Sequence, residues 1–434
     1  MTDYVGKAMP RYDGIGQVTG KAVYVDDVRL PGMLYAKLLR SPVSKGTIRR
    51  LDFSAAERTA GVAGVVTASD IPGANVIGIY GDQPALNPGP LRHKGEVIGA
   101  VVAVDEDTAM EALQKIKLEI DEETPVFDMF EAMKPGAPLV RPGSKSNLWE
   151  YLPGVTTRVI RLGDIEKGFK EADDVVEGRY TENVQDHAPI EPHVSVADID
   201  AAGRLVIHTH SQCVNLHLGM LCRIFNLPQS KIVYIGGRSG GGFGGKNEIC
   251  CDHIAGLAAL KLGRPVKVRL SRREDLRYTP KRGGWVLDYR TGFTKDGRIV
   301  ASHIKEYHDS GAYAGFSPYA TEKCGMFASG PYWVPNILIE GQTIFTNKFV
   351  SSSMRGFAII NGQIPMEIQM SRIGEKLRMD PWELRFINAW RDGDLGASRY
   401  VVQGAGAIET LKRCAQLAGI KLPEKLMSMS SRRR

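Results

Sequence analysis

The sixteen residues from 231 to 246, Lys-Ile-Val-Tyr-Ile-Gly-Gly-Arg-Ser-Gly-Gly-Gly-Phe-Gly-Gly-Lys, include seven glycines and run into Asn247 and Glu248. A β-branched apolar run at 232–235 reads as a strand leading in, and 250–262 reads as a helix leading out. Glycine between strand and helix lets the backbone take positive φ and brings N–H groups against a ligand with no Cβ between. The stretch therefore reads as an anion-cradling loop for a phosphate-bearing or pterin-like cofactor. A plain tight connection would need one glycine rather than seven. Two nucleotide readings fit poorly. Gly240-x-x-x-x-Gly245-Lys246 lacks the Ser or Thr whose hydroxyl holds magnesium in a P-loop, because Asn247 stands there. Gly-x-Gly-x-x-Gly can be read from Gly240 through Gly242 to Gly245, but means little in so glycine-dense a stretch.

The elements that must position this loop fall into two blocks. In the first, strands read at 22–25, 33–39, 62–67 and 97–104, with a helix over 108–117 that sets Ala109, Leu113 and Ile116 on one face. Residues 1–130 are expected to form one α+β domain, and 131–153, rich in Pro, Gly, Ser and Lys, a linker. The second block, 154–425, reads as strands at 158–161, 174–180, 195–199, 205–209, 265–270, 286–293 and 299–308, with a short helix over 164–172 capped by Asp164. Met366, Met370, Ile373 and Leu377 share a helical face, more in keeping with a core stripe than with a cofactor box, and 382–390 continues helical. Residues 426–434 read as a disordered tail.

Bulk properties exclude several classes. Hydrophobic residues make up 43% of the 434 and charged residues 24%, so the chain can bury sizeable cores. The net charge of +7 is spread along the chain, with no basic stripe interleaved with aromatics, so nucleic acid is not an expected partner. None of the six cysteines forms a Cys-x-x-Cys pair, which signals neither a zinc ribbon nor an iron–sulfur cluster in this chain. No apolar run could span a bilayer and no secretory leader is evident, so the expectation is a cytoplasmic protein without a membrane partner. His187, Glu191 and His193 do not have the His-Glu-x-x-His spacing, and Pro189 and Pro192 break any helix that would align them as zinc ligands.

Taken with its surroundings, Gly240-Gly-Gly-Phe-Gly-Gly-Lys246 resembles the signature of the molybdenum hydroxylase family, which includes xanthine dehydrogenase and aldehyde oxidoreductase. Val18-Thr-Gly-Lys-Ala22, Leu30-Pro-Gly-Met-Leu34 and Arg40-Ser-Pro42 resemble the start of its α/β-hammerhead domain. Gly163-Asp164 through Ala172-Asp173, then His187 and Glu191-Pro192, resemble the opening of its first molybdopterin-binding domain. Asp309-Ser-Gly-Ala-Tyr-Ala314, Arg355-Gly-Phe357 and Asp380-Pro-Trp-Glu-Leu-Arg385 resemble later motifs of that domain. The resemblance implies a mixed α+β fold, an N-terminal hammerhead domain followed by the first molybdopterin-binding domain. The family's second such domain carries a Gly-x-Gly-Glu motif whose glutamate is the catalytic base, and this sequence contains no such motif. The arrangement resembles the split large subunit of nicotinate dehydrogenase, and a truncated chain is the other reading.

The resemblance also implies residue roles. Gln212 stands where an amide hydrogen-bonds an oxo ligand of molybdenum, which suits a donor that adds no charge. Gly242, Phe243 and Gly244 match backbone contacts at the metal centre, and Arg355 an arginine beside it. Phe357 matches an aromatic that stacks on a flat substrate. Asn247 replaces a glutamate that binds purines, and Lys323, counted back from Tyr332-Trp-Val-Pro-Asn336, replaces an arginine, so the implied substrate is a small anionic aromatic such as nicotinate, with Lys323 facing its carboxylate. After Phe357 the family continues Gly-x-Pro-Gln, whereas this chain has Ala358-Ile-Ile-Asn361. The implied cofactor is molybdenum–molybdopterin in the cytosine dinucleotide form. The implied partners are a second molybdopterin subunit with the base glutamate, an iron–sulfur subunit and an FAD subunit. The implied activity is hydroxylation of an N-heteroaromatic carbon with water-derived oxygen, with xanthine or aldehyde oxidation, or a non-catalytic cofactor scaffold, as alternatives.

Overall fold

The computed structural model describes residues 4–431. A seven-stranded mixed sheet carries the glycine loop. Its order is Ile232–Gly236, Leu205–Thr209, Val194–Ile199, Val266–Arg269, Leu34–Arg40, Val97–Ala103 and Val62–Thr67. Both sequence blocks contribute to it. Leu34–Arg40 runs parallel to Val266–Arg269 on one side and antiparallel to Val97–Ala103 on the other. Leu34, Ala36 and Val102 accordingly share one apolar cluster with Ile207, Ile254 and Val266. The helix Asp252–Leu262, which leads out of the glycine stretch, is buried from Asp252 through Ala259. A helix that is apolar nearly all round can only sit inside a core, so the loop's exit is anchored against strands of both blocks.

The second sheet has the order Arg158–Leu162, Asn336–Phe345, Ile299–Gly311, Trp285–Phe293 and Asp174–Glu182. Ile299–Gly311 and Asn336–Phe345 are parallel, and the helix Ser317–Phe327 makes the crossover between them. Ile359–Leu377 packs beside that helix, and Met366, Met370 and Ile373 are fully buried on the face the sequence pattern marks. A small third sheet pairs Gly46–Asp52 with Pro90–Leu91 and Lys117–Glu122.

Several expectations need correcting. Residues 22–25 are not a strand: Val25–Asp27 is a single 3₁₀ turn, favoured because the Asp27 carboxylate accepts the Tyr24 N–H at 2.9 Å. The 108–117 helix ends at Leu113, and Lys117 opens a strand. The 131–153 segment is packed rather than loose. Asn147 ties it together, accepting the Val140 N–H at 2.8 Å and donating to the Ala132 and Pro138 carbonyls at 3.1 and 3.0 Å. The expected tail is folded as far as it is described. Leu426 is buried in an apolar cluster with Phe386 and Ile408, and Ser431 is buried with its N–H on Glu409 at 3.1 Å. Residues 432–434 of that tail lie outside the described residues. Among the described residues no helix is long and apolar enough to cross a membrane.

Candidate functional site

Leu205–Thr209 and Ile232–Gly236 are parallel neighbours, with Thr209 opposite Gly236. Gln212 follows the first and the glycine loop follows the second, so both emerge at the carboxyl ends of adjacent parallel strands, where α/β sheets place ligands. The Gln212 N–H donates to the Lys246 carbonyl at 2.9 Å. Its Oε1 accepts the N–H groups of Gly244 at 2.9 Å and Lys246 at 3.3 Å. Two donors on one oxygen fix the amide's orientation, leaving Nε2, a pure donor, without a protein acceptor among the described residues.

The loop has no room for side chains where the sequence has glycine. A Cβ on Gly242 would lie 2.5 Å from Gln212 Oε1, and one on Gly244 would lie 2.6 Å from the Ser353 carbonyl oxygen. Gly244 has φ of +99° and Phe243 has φ of +54°, the latter in the left-handed region that costs a non-glycine residue about 1 kcal/mol or more. The Arg355 N–H fastens the Phe243 carbonyl at 2.8 Å. Among the described residues the N–H groups of Gly241, Gly242 and Phe243 have no acceptor, although Gly242 is buried.

Buried charges hold this loop from below. Lys246 is 1% exposed, and its Nζ donates to Glu191 Oε2 at 2.7 Å. The same oxygen accepts the Gly240 N–H at 2.8 Å, so one carboxylate clamps both ends of the Gly240–Lys246 turn. His193 makes a second clamp, pairing through Nδ1 with Asp275 at 3.0 Å and through Nε2 with the Gly245 carbonyl at 3.1 Å. Burial works against protonating His193, but Cys250 and Asp275 beside it push its pKa up to about 10. Burial likewise opposes ionising Asp275, yet His193 draws its pKa below the usual value, so the two form an ion pair. His187 donates from Nε2 to the Ser353 carbonyl at 2.7 Å. Glu191 and His193 thus hold backbone or a counter-charge of the loop, and His187 holds backbone of the facing segment. Arg282 donates to the Arg355 carbonyl at 2.6 Å, holding the other wall.

A cavity of about 540 Å³ opens between this loop and the segment 353–357. Gln212, Phe243, Gly244, Asn247, Arg355 and Phe357 all line it. Gly242 sits behind Gln212. Lys323 is not among the residues that line the cavity: its Nζ lies 5.7 Å from the ring centroid of Tyr319, one helical turn away, which does line it. Asn247 lines the cavity with its amide already engaged. Its Nδ2 donates to Ser353 Oγ at 2.6 Å and its Oδ1 accepts from Cys213 Sγ at 3.4 Å. Phe316 and Tyr319 are lining residues that sequence reasoning missed. Their rings meet Phe357 at centroid distances of 6.3 and 5.6 Å. Only their separation by three residues at a helix start could have hinted at a shared face, and core aromatics give the same pattern. Ala358 holds φ of +59° where the family pattern has glycine, so the turn after Phe357 is kept at the cost of strain.

Residues 150–389 match the description of a molybdopterin cofactor-binding domain, and 19–124 that of the aldehyde oxidase and xanthine dehydrogenase a/b hammerhead domain. The chain belongs to the molybdenum hydroxylase family. This family member is 32% identical to the nicotinate dehydrogenase large molybdopterin subunit of Eubacterium barkeri over 95% of the chain and 96% of that subunit. It is 36% identical to a probable xanthine dehydrogenase subunit of Bacillus subtilis over 89% of the chain and 51% of that protein. The aldehyde oxidoreductase of Desulfovibrio gigas superposes with a TM-score of 0.89 at 30% identity, covering 94% of this chain and 46% of that one. The chain thus spans about half the length of the latter two. As a member of this family it should offer donors to an anionic pterin, and its residues fit one. Three consecutive N–H groups without acceptors, the spare Gln212 donor and the Arg355 guanidinium all border the same cavity or the loop that walls it.

Proposed function

We propose that this chain is the large molybdopterin-binding subunit of a multi-subunit hydroxylase acting on a small N-heteroaromatic acid such as nicotinate. The observation that carries the reading is the cavity's composition: an aromatic wall of Phe316, Tyr319 and Phe357, a cation at Arg355, and an engaged amide rather than a carboxylate at Asn247. A planar ring fits against aromatic faces, and a carboxylate meets no like charge among the lining residues. The near-complete span of a relative named as a large molybdopterin subunit supports a division of labour in which a second molybdopterin subunit carries the base glutamate. Iron–sulfur and FAD subunits would carry electrons away, and the cofactor would be the cytosine dinucleotide form.

Bound molybdopterin would supply two-electron oxidation with oxygen from water. Gln212 Nε2 and the N–H groups of 241–243 would hold the cofactor's oxygens by preorganised donation that adds no net charge. Phe357 and Tyr319 would hold the substrate ring and exclude water from it. Arg355, beside the cofactor, would donate to it and orient the substrate's carboxylate with the rest of its fork. Lys323, outside the lining, would act on that carboxylate only at longer range.

The test is to purify the protein with its partner subunits, measure molybdenum, and compare nicotinate, nicotinamide, xanthine and benzaldehyde. The expected result is one molybdenum per chain and the highest kcat/KM for nicotinate. A tenfold preference for xanthine would overturn the substrate reading in favour of a purine enzyme, which the similarity to the probable xanthine dehydrogenase subunit supports. Absence of molybdenum from an intact complex would overturn the cofactor reading.

A further inference from the structure

A second cavity, of about 390 Å³, lies where the two sequence blocks meet. Ser44, Lys94 and Phe127 line it from the first block, and Arg277, Tyr278 and residues 347–349 from the second. It shares no lining residue with the cavity described above. Its volume lies in the range of small-ligand sites, about 300–1,000 Å³.

Its charge is one-sided. Three of its lining residues, Lys94, Arg277 and Lys348, are cations, and no carboxylate lines it. Lys348 is neutralised from beneath by the buried Asp309, at 2.7 Å. The Lys94 ammonium and the Arg277 guanidinium make no hydrogen bond or ion pair among the described residues, and both side chains are exposed. Their charges are free for a ligand.

Its walls are aromatic, and that of Tyr278 is fixed. The Tyr278 ring lies so close over Gly95 that a Cβ there would fall 2.1 Å from it, and the Arg40 guanidinium lies 4.9 Å from its centroid on one face. The floor at Asn347 is 1% exposed and spent: its Oδ1 accepts the Val126 N–H at 2.9 Å and its Nδ2 donates to the Arg92 carbonyl at 2.8 Å. Phe127 remains 47% exposed beside the free cations. Ring faces, one of them fixed, with two unpaired cations at a concave site suit a flat apolar body that carries one negative charge.

We infer that this cavity binds a small planar aromatic acid at a site separate from the cofactor cavity. Such a ligand would bridge the two blocks and so stabilise their junction. The inference stands on the lining alone and does not depend on what the larger cavity accepts.

The experiment is calorimetric titration of benzoate into the purified protein with its partner subunits. Benzamide and inorganic phosphate serve as probes of the ring and the charge taken singly. Benzoate is expected to bind at least tenfold more tightly than either, and to raise the melting temperature. With Phe357→Ala in the background to weaken binding of benzoate in the larger cavity, the second site should remain, and adding Lys94→Glu/Arg277→Glu should weaken benzoate at least tenfold and remove the remaining rise, whereas adding Lys94→Gln should weaken it less. Equal binding of benzamide or phosphate, or undiminished benzoate binding in both cation variants, would overturn the inference. So would failure of the folded double variant to assemble with its partners, which would make the cavity a docking surface for an acidic protein segment.

Discussion

The two walls of the large cavity are built on different principles. The glycine-loop wall is held by buried charge and backbone: Lys246 on Glu191, His193 on Asp275 and on the Gly245 carbonyl, and Gln212 on two N–H groups. Each bond has a narrow geometry, and Lys246, His193 and Asp275 are buried where an unmatched charge is expensive. The opposite wall, Phe316, Tyr319, Arg355 and Phe357, is held mainly by ring contacts, and Tyr319 and Arg355 are exposed. Ring contacts tolerate exchange of one aromatic or aliphatic side chain for another. A wall of the first kind suits a cofactor whose shape does not vary, and one of the second suits a substrate that differs between relatives.

The sharpest way to break this contrast is to remove one partner of a buried pair. Asp275→Asn leaves the buried His193 without its counter-charge, weakening its hold on the Gly245 carbonyl, and should cost about 3–5 kcal/mol of stability with loss of bound molybdenum. The sign follows from the shifts. His193, raised to about 10, adds stability that is complete below its ordinary value of 6.5 and is lost as pH rises through about 10. Asp275, lowered, adds stability that is lost as pH falls through its folded pKa. Chemical denaturation at pH 5, 7 and 10 checks this, and a variant as stable as the parent at pH 7 would show the pair to be idle.

Glu248 joins the walls, accepting from Ser352 Oγ at 2.8 Å. Burial pushes its pKa up to about 7 from an ordinary 4.5. Its folded pKa is raised, so the stability it lends is complete below about 4.5 and is lost as pH rises through about 7. Glu248→Gln should therefore flatten the fall in melting temperature between pH 6 and 9, by the equivalent of about 2 kcal/mol at the upper end. Glu306, raised to about 8 by burial, titrates in the same window but is present in both proteins, so the difference isolates Glu248. Parallel pH curves would rule the effect out.

On the wall proposed to hold the substrate, Phe357→Ala should raise KM for nicotinate about tenfold, or about 1.4 kcal/mol, while molybdenum content stays at the parental level. Loss of molybdenum together with KM would erase the distinction between the walls. The smallest effect is expected at Ala358, where φ is +59°. Ala358→Gly relieves that strain and should stabilise by about 0.5–1 kcal/mol in a thermal melt, with kcat/KM unchanged.

Part of this organisation was legible from the chain alone, and the reason is local. Seven glycines between an apolar strand and a helix can be read because positive φ and close approach are properties of single residues, and the structure realises both at Gly244. The Met366, Met370 and Ile373 face was legible because helical periodicity lies within one element. Other features depend on what comes near from far away in sequence. Nothing near Leu34 says that its strand lies beside Val266 in the sheet that bears the loop. Nothing near His193 says that its ring lies between Asp275 and Gly245, which are 82 and 52 residues distant. Lys323 could be counted to a position but not seen to lie over the Tyr319 ring rather than in the cavity lining, and Asn247 could not be seen to be already bound to Ser353. The sequence by itself determined the residue types, the loop and its flanking elements. Which charges lie buried together, and which side chains face the cavity, only the tertiary structure decided, because pairing and burial are properties of distance in space.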